Sequence, residues 1–285
     1  MFLYQSKRCL QRAKEKGFAM KTTMMAAAVY TACVCTPAVA GVGLSEFYIT
    51  DGQGRVFSVD TGTYEASLLF DIDGHGFITD LAYIGNDRVL VQNGGVFTSY
   101  DVNSPSANGT VEYDLYDRFG DGVHLAAGLD IDPSGQINFA VQSFPPNGND
   151  TRYIASYDPM TDSYTTGASF DTFASFLDVH RYDGDVFLGA NFSENAVRVF
   201  DSVTGETIAE HQVGFGVVSF FEVSDVIYAV GKLGGVYTYD PTDGSTSLLG
   251  TITGAGDSII GATVPAPSGL ALFGAGLLGV SRRRR

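Results

Sequence analysis

Residues Gly234–Ser245 read "GGVYTYDPTDGS". Apolar and polar side chains alternate from Val236 to Tyr239, an aspartate follows, and a polar turn closes on Gly244. Alternation with a period of two is the mark of a β-strand with one face buried. Asp240 stands where a strand-end carboxylate accepts backbone N–H groups one or two residues further on, and Gly244 suits the left-handed position of such a turn. The same unit returns as "GRVFSVDTGT", "GGVFTSYDVNS", "YIASYDPMTDS" and "AVRVFDSVTGE". The five aspartates, Asp60, Asp101, Asp158, Asp201 and Asp240, are 41, 57, 43 and 39 residues apart. The long interval contains an insertion, "SFPPNGNDT", Ser143–Thr151.

A period near 40 with several short strands per unit predicts the blades of a β-propeller. In the last unit the strands are "VVSFFEV", "VIYAVG", "GGVYTYD" and "STSLLGTI". Comparable quartets run over Phe77–Leu115, Gly128–Ala168 and Ser175–Val213. The first unit supplies only "FYIT", "RVFSVD" and "YEASLLF", and lacks an innermost strand. One strand is left over at the other end, "DSIIGATV", Asp257–Val264. Placing it inside the first unit closes the ring and leaves no open sheet edge. The expected fold is all-β, a five-bladed propeller whose C-terminal strand joins the first blade. No stretch of the body has a useful helical period. The repeating turn resembles the "hydrophobic-x-hydrophobic-Asp-x-x-Thr-Gly" turn of short-repeat propellers, a resemblance that implies fold and little else.

The ends differ from the body. The chain finishes "VPAPSGLALFGAGLLGVSRRRR". As a helix, Gly269–Val280 would rise roughly 18 Å, short of the ~30 Å hydrocarbon core, so the run is a marginal membrane stop. Pro265 and Pro267 separate it from what precedes, and Arg282, Arg283, Arg284 and Arg285 would stay on the cytoplasmic side. The order of parts resembles the PEP-CTERM sorting signal of Gram-negative bacteria: a Val-Pro-Glu-Pro box, an apolar helix and an arginine cluster. The box here is Val264, Pro265, Ala266 and Pro267, with alanine in the place of the usual glutamate. The resemblance implies export from a Gram-negative cell, a precursor held briefly in the membrane, processing by an exosortase-type enzyme, and a final place on the outer surface or outside the cell.

The other end carries the matching entry signal. Met20–Ala40, "MKTTMMAAAVYTACVCTPAVA", has a basic start, an apolar stretch and a small-x-small box at Ala38 and Ala40, as a secretory signal peptide requires. The expected layout is an N-terminal extension and signal peptide over 1–40, the propeller over 41–264 and the sorting tail over 265–285. Cys9, Cys33 and Cys35 all precede the cut, so the body has no disulfide or thiol chemistry. The body keeps seven of the 17 basic residues and 31 of the 32 acids, a formal charge of −24. Such a surface repels nucleic acid and anionic lipid, and membrane contact is expected only through the tail.

Candidate chemistry is sparse. "GLDIDPSG", "FLDVHRYDG" and "FFEVSD", matched on their following turns, place Asp130, Asp178 and Glu222 at corresponding points of three inner strands. Three acids near an axis could act on a sugar bond as an acid/base pair with a helper. They also suit plain polar residues facing the axial channel. The acid-glycine loops "DIDGHG" and "DRFGDG" offer Asp71, Asp73, Asp117 and Asp121 as hard oxygen ligands for Ca²⁺, without a full calcium-loop pattern. The four histidines, His75, His124, His180 and His211, have no metal-ligand spacing, and His124 and His180 lie beside inner strands. The reading taken is a non-catalytic extracellular or surface propeller with no cofactor, binding a glycan or surface protein of the exopolysaccharide matrix. The alternative is a secreted carbohydrate-active enzyme using the three inner-strand acids.

Overall fold

The computed structural model describes residues 44–72, 78–104, 109–119, 124–132, 134–143, 151–170, 178–191, 193–256 and 258–265. The signal segment with Ala38 and Ala40, the tail from Ala266 onward with Pro267 and Arg282–Arg285, and the loop acids Asp73 and Asp121 lie outside the described residues.

Twenty strands form five four-stranded antiparallel sheets among the described residues. The first sheet runs, from inside to outside, β20 (Ile259–Thr263), β1 (Glu46–Asp51), β2 (Arg55–Asp60) and β3 (Ala66–Asp71). The others follow in chain order. They are β4 (Ile78–Gly85) to β7 (Thr110–Asp114) by way of β5 (Arg88–Asn93) and β6 (Val96–Asp101), and β8 (His124–Ile131) to β11 (Ser163–Thr166) by way of β9 (Ile137–Ser143) and β10 (Thr151–Asp158). Next come β12 (Asp178–Asp183), β13 (Val186–Asn191), β14 (Ala196–Asp201) and β15 (Thr207–Gln212), then β16 (Val217–Val223), β17 (Val226–Gly231), β18 (Gly235–Tyr239) and β19 (Thr246–Thr251). This is a five-bladed propeller closed by the C-terminal strand: β20 pairs with β1 through Tyr48↔Thr263, Ile49↔Ala262 and Thr50↔Gly261.

The blades stack through five apolar clusters, each shared by two neighbours. Pleating decides which side chain goes where. Phe47 of β1 packs toward the last blade, with its ring centroid 5.3 Å from that of Phe221. Tyr48, the next residue, faces the other way and joins Phe70, Leu81 and Val89 between the first two blades. Middle strands are covered on both faces, so β5 and β17 are almost continuously buried. Each buried aliphatic or aromatic side chain contributes about 1.5–3 kcal/mol in transfer alone. Outermost strands are largely exposed, as in "TIAEHQ" of β15, where only Ala209 and His211 are half-buried.

Two hairpins use the left-handed pairs Asn86–Asp87 and Ser224–Asp225, the geometry that two-residue turns of twisted strands require. One helical turn was not legible in the sequence: α1, Leu115–Phe119. It starts because Asp114 Oδ1 accepts the N–H of Tyr116 at 2.8 Å, a local cap that needs no periodic pattern.

The five inner strands, β20, β4, β8, β12 and β16, contact one another in a ring around the axis. Two glycines permit the close approach. A Cβ on Gly128 would lie 2.4 Å from Val179 N, and one on Gly261 would lie 2.3 Å from Asp80 Oδ1.

Candidate functional site

Each inner strand reaches the next with a side-chain acceptor. Asp80 Oδ2 of β4 accepts Leu129 N of β8 at 2.8 Å. Asp130 Oδ2 of β8 accepts Arg181 N of β12 at 3.0 Å. Asp178 Oδ2 of β12 accepts Phe220 N of β16 at 2.5 Å. Ser219 Oγ of β16 accepts Ala262 N of β20 at 2.9 Å and donates to its carbonyl at 3.1 Å. Thr263 Oγ1 of β20 accepts Tyr83 N of β4 at 3.0 Å. The circle is complete. Where two contacts link a pair they advance together, Gly261 against Asp80 with Thr263 on Tyr83, and Gly128 against Asp178 with Asp130 on Arg181, as for inner strands that run the same way along the axis. Their C-terminal ends form one mouth of the propeller.

Asp80 and Asp178 lie deepest and are buried. Asp80 also accepts Leu81 N at 2.8 Å. The two carboxyls face each other, and such a contact is attractive only when one holds a proton. Burial first, then the charge of Asp178, pushes the carboxyl of Asp80 well above the usual range. Burial raises Asp178 to about 6, against the lowering effect of Asp80 and of the Phe220 N–H. The contact is not a well-formed hydrogen bond, since Asp178 Oδ1 has no partner of good geometry. Gln92, paired across the strands with Asp80, is fully buried, and neither atom of its amide has a partner.

Nearer the mouth, His180 lies between two acids. Its Nδ1 is 3.1 Å from Asp130 Oδ1 and its Nε2 is 3.4 Å from Glu222 Oε2, the second an ion pair too oblique for a regular hydrogen bond. Burial opposes charge on the ring, but Asp130, Glu222 and Asp178 outweigh it and raise His180 to about 10. It is therefore a fixed cation at neutral pH. Arg181 is locked beside it, with Nη1 on Asp132 Oδ2 at 2.5 Å and on Gln136 Oε1 at 3.3 Å. Asp132 in turn holds Ser134 N at 2.8 Å and Gln136 N at 3.1 Å.

The structure thus brings Asp130 and Glu222 to opposite sides of His180 and sets Asp178 deeper. By cross-strand register, Asp130, Arg181 and Glu222 share one level, opposite Asn138, Phe187 and Ile227. Asp178 shares its level with Asp80 and Ser219, opposite Ala190, Gln92 and Val230. The match on turns differs because β16 ends at the Ser224–Asp225 turn, whereas β12 continues through His180, Arg181 and a bulge before Asp183. Asp80 and Ser219 went unnoticed in the sequence; the only signal was a polar residue inside a mostly apolar inner strand. Of the calcium candidates, Asp71 is exposed at the end of β3, and Asp117 is exposed in α1. Among the described residues no three His, Cys, Asp or Glu side chains are grouped to hold a metal.

The repeated aspartates sit at the rim of the mouth end and act locally. Asp60 Oδ1 accepts Gly62 N at 2.9 Å and Thr63 N at 2.8 Å; Asp201 Oδ1 accepts Val203 N and Thr204 N, both at 2.8 Å. Asp101, Asp158 and Asp240 each accept the N–H two residues on, at 2.8 Å. These bonds hold the carboxyls of Asp60 and Asp201 below the usual range, and the Thr161 hydroxyl, with the Met160 N–H second, does the same for Asp158.

Residues 263–285 match the family model described as the PEP-CTERM protein-sorting motif. The motif implies export through a sorting system, a cell-surface or extracellular place, and a processing enzyme as partner. No curated protein sequence matches the chain. Similar solved structures include a protein of unknown function from Bacteroides caccae, 12% identical over 72% of this chain and 73% of that one, with a TM-score of 0.49. A luciferin-regenerating enzyme is 9% identical over 76% of this chain and 75% of that one, also at 0.49. The calcium-binding protein regucalcin from Agrobacterium tumefaciens is 11% identical over 71% of this chain and 68% of that one, at 0.43.

Proposed function

We propose that this protein is a non-catalytic, exported propeller. In this reading the signal peptide is removed after Ala40 and the precursor is held in the membrane by the tail. An exosortase-type enzyme processes it, and the body is left at the surface or in the exopolysaccharide matrix of a Gram-negative cell. There the acidic mouth binds a glycan or a surface protein. One observation carries the non-catalytic reading: the inner-strand acids are already engaged. Asp178 holds a backbone N–H of the next blade, and Asp130 holds both such an N–H and His180. A glycosidase needs two carboxyls about 5–10 Å apart with the sugar bond between them. Here an imidazolium fills the space between Asp130 and Glu222. Glu222 is the acid with free surface, its side chain 37% exposed, and is the group to which a ligand has access.

The test is a glycan array and a glycan-cleavage screen on the exported protein, with Asp130→Asn, Asp178→Asn and Glu222→Gln alongside. Binding weakened by Glu222→Gln, with a Tm lowered by no more than a few degrees through the lost pairing with His180, is the expected result. A cleaving activity that disappears in one of these isosteric variants would instead establish the carbohydrate-active enzyme.

A further inference from the structure

The body and the sorting motif share a residue. Thr263 is the last residue of β20, pairs with Tyr48 and bonds Tyr83 N; it is also the first residue of the matched motif. Val264 still packs on the apolar cluster between the first and last blades. The chain therefore leaves the fold beside the axis, at the C-terminal end of an inner strand. That is the mouth carrying Asp130, His180 and Glu222. Leu44, the first described residue, lies at the same end, where Thr61 donates to its carbonyl at 2.8 Å.

Length now decides orientation. From Pro265 to Gly269, where the apolar run starts, the chain spans about 14 Å at full extension. Crossing the polar headgroup layer takes up about 5–7 Å of that. The remainder is shorter than the distance from β20 to the outside of its own blade, about 14 Å of strand spacing before side chains are added. The propeller can neither stand on edge nor turn its far end to the membrane.

We infer that in the membrane-held precursor the mouth end lies against the outer surface of the membrane, so that the site around Asp130, His180 and Glu222 is covered until the tail is processed. The inference rests on the tail acting as the membrane hold, and not on the identity of any ligand. The rim aspartates and the inner hairpin acids Asp87, Asp132, Asp183 and Asp225 share this end. Like charge pushes it away from anionic lipid. Only the short tether keeps it there, and cutting the tether frees the site.

The body contains no cysteine, so single cysteines report access to each end. Tyr182, 41% exposed on β12 next to Arg181, marks the mouth end; Leu233, 84% exposed in the β17–β18 turn, marks the far end. Tyr182→Cys and Leu233→Cys would be made in full-length protein lacking Cys9, Cys33 and Cys35, in cells without the processing enzyme. Spheroplasts would be treated with a bulky polyethylene-glycol maleimide. Relative to the same variant released from the membrane, labelling at position 182 should be about tenfold slower, as for a residue reached only by transient opening, with position 233 unchanged. Inserting roughly twenty Gly-Ser residues after Pro265, about 70 Å of added reach, should restore full labelling at position 182. Equal labelling of both positions in a membrane-bound precursor would overturn the orientation while leaving the membrane hold intact. A precursor that is not retained with the membrane at all would overturn both.

Discussion

Two sets of aspartates do the same chemistry in different places. Asp60, Asp158 and Asp201 at the rim and Asp80 and Asp178 at the axis all accept backbone N–H groups. At the rim the donor is two or three residues away and water surrounds the carboxylate. At the axis the donor belongs to the next blade, 49 residues on for Asp80 and 42 for Asp178, and water is excluded. The consequences have opposite sign. The rim bonds lower the pKa, so their stabilisation is present above the ordinary carboxylate range and is lost as pH falls through the folded value. Burial raises the axial values, so the axis is favoured when protonated and loses stability as pH rises from about 4 to about 6 through Asp178. The same residue type is a turn-former in one place and a blade-to-blade latch in the other.

The largest break in this comparison comes from opening the ring. Deleting Ser258–Thr263 removes the partner of β1 and the latches at Ala262 and Thr263 together. We expect aggregation, or a Tm lower by at least about 10 °C. Unchanged calorimetric unfolding would refute closure by β20.

Asp80→Ala strips one blade-to-blade latch and takes the carboxylate acceptor from two buried donors, Leu129 N and Leu81 N. A buried unpaired donor costs about 1–3 kcal/mol, or some 3–10 °C for a domain of this size. Asp80→Asn keeps an acceptor and should lose less.

The axial cation gives a second pH window. His180 is raised to about 10, so its contribution is complete below about 6.5 and disappears as pH rises toward 10. The Tm of the native protein should fall by several degrees between pH 7 and pH 10. His180→Gln should flatten that slope; a slope that survives the substitution would remove His180 as its cause.

Ser219→Ala deletes the neutral latch to Ala262 and should cost about 1 kcal/mol, with no change in either pH window. Smallest of all is the rim. Asp201→Ala should shift Tm by no more than about 2 °C near neutral pH, and its effect should vanish in acid, where the native carboxylate is protonated. A rim loss as large as that of Asp80→Ala would erase the distinction between the two sets.

Much of this architecture was readable because the information is local. The run Val236–Tyr239, its aspartate and its glycine specify a strand and a turn within twelve residues, and five repeats specify five blades. The missing innermost strand of the first unit and the extra strand at Ile259–Thr263 predicted the closure found. The sorting motif was equally plain, being a linear signal. The turn role of Asp60 and Asp201 followed from neighbours two and three positions away.

The axis was not readable in this way. Asp130, Asp178 and Glu222 look alike in their strands, but hairpin lengths and the bulge between Arg181 and Asp183 shift them to different depths. Only the ring places Asp178 against Asp80, or His180 between Asp130 and Glu222, across separations of 42 to 98 residues. Sequence determined what each strand and turn would be, because those choices depend on side-chain alternation and short-range hydrogen bonds. Tertiary structure decided which acids are solvated turn-formers, which are buried and shifted toward the protonated form and which hold a cation, because burial and the field of distant charges exist only once five blades close around one axis.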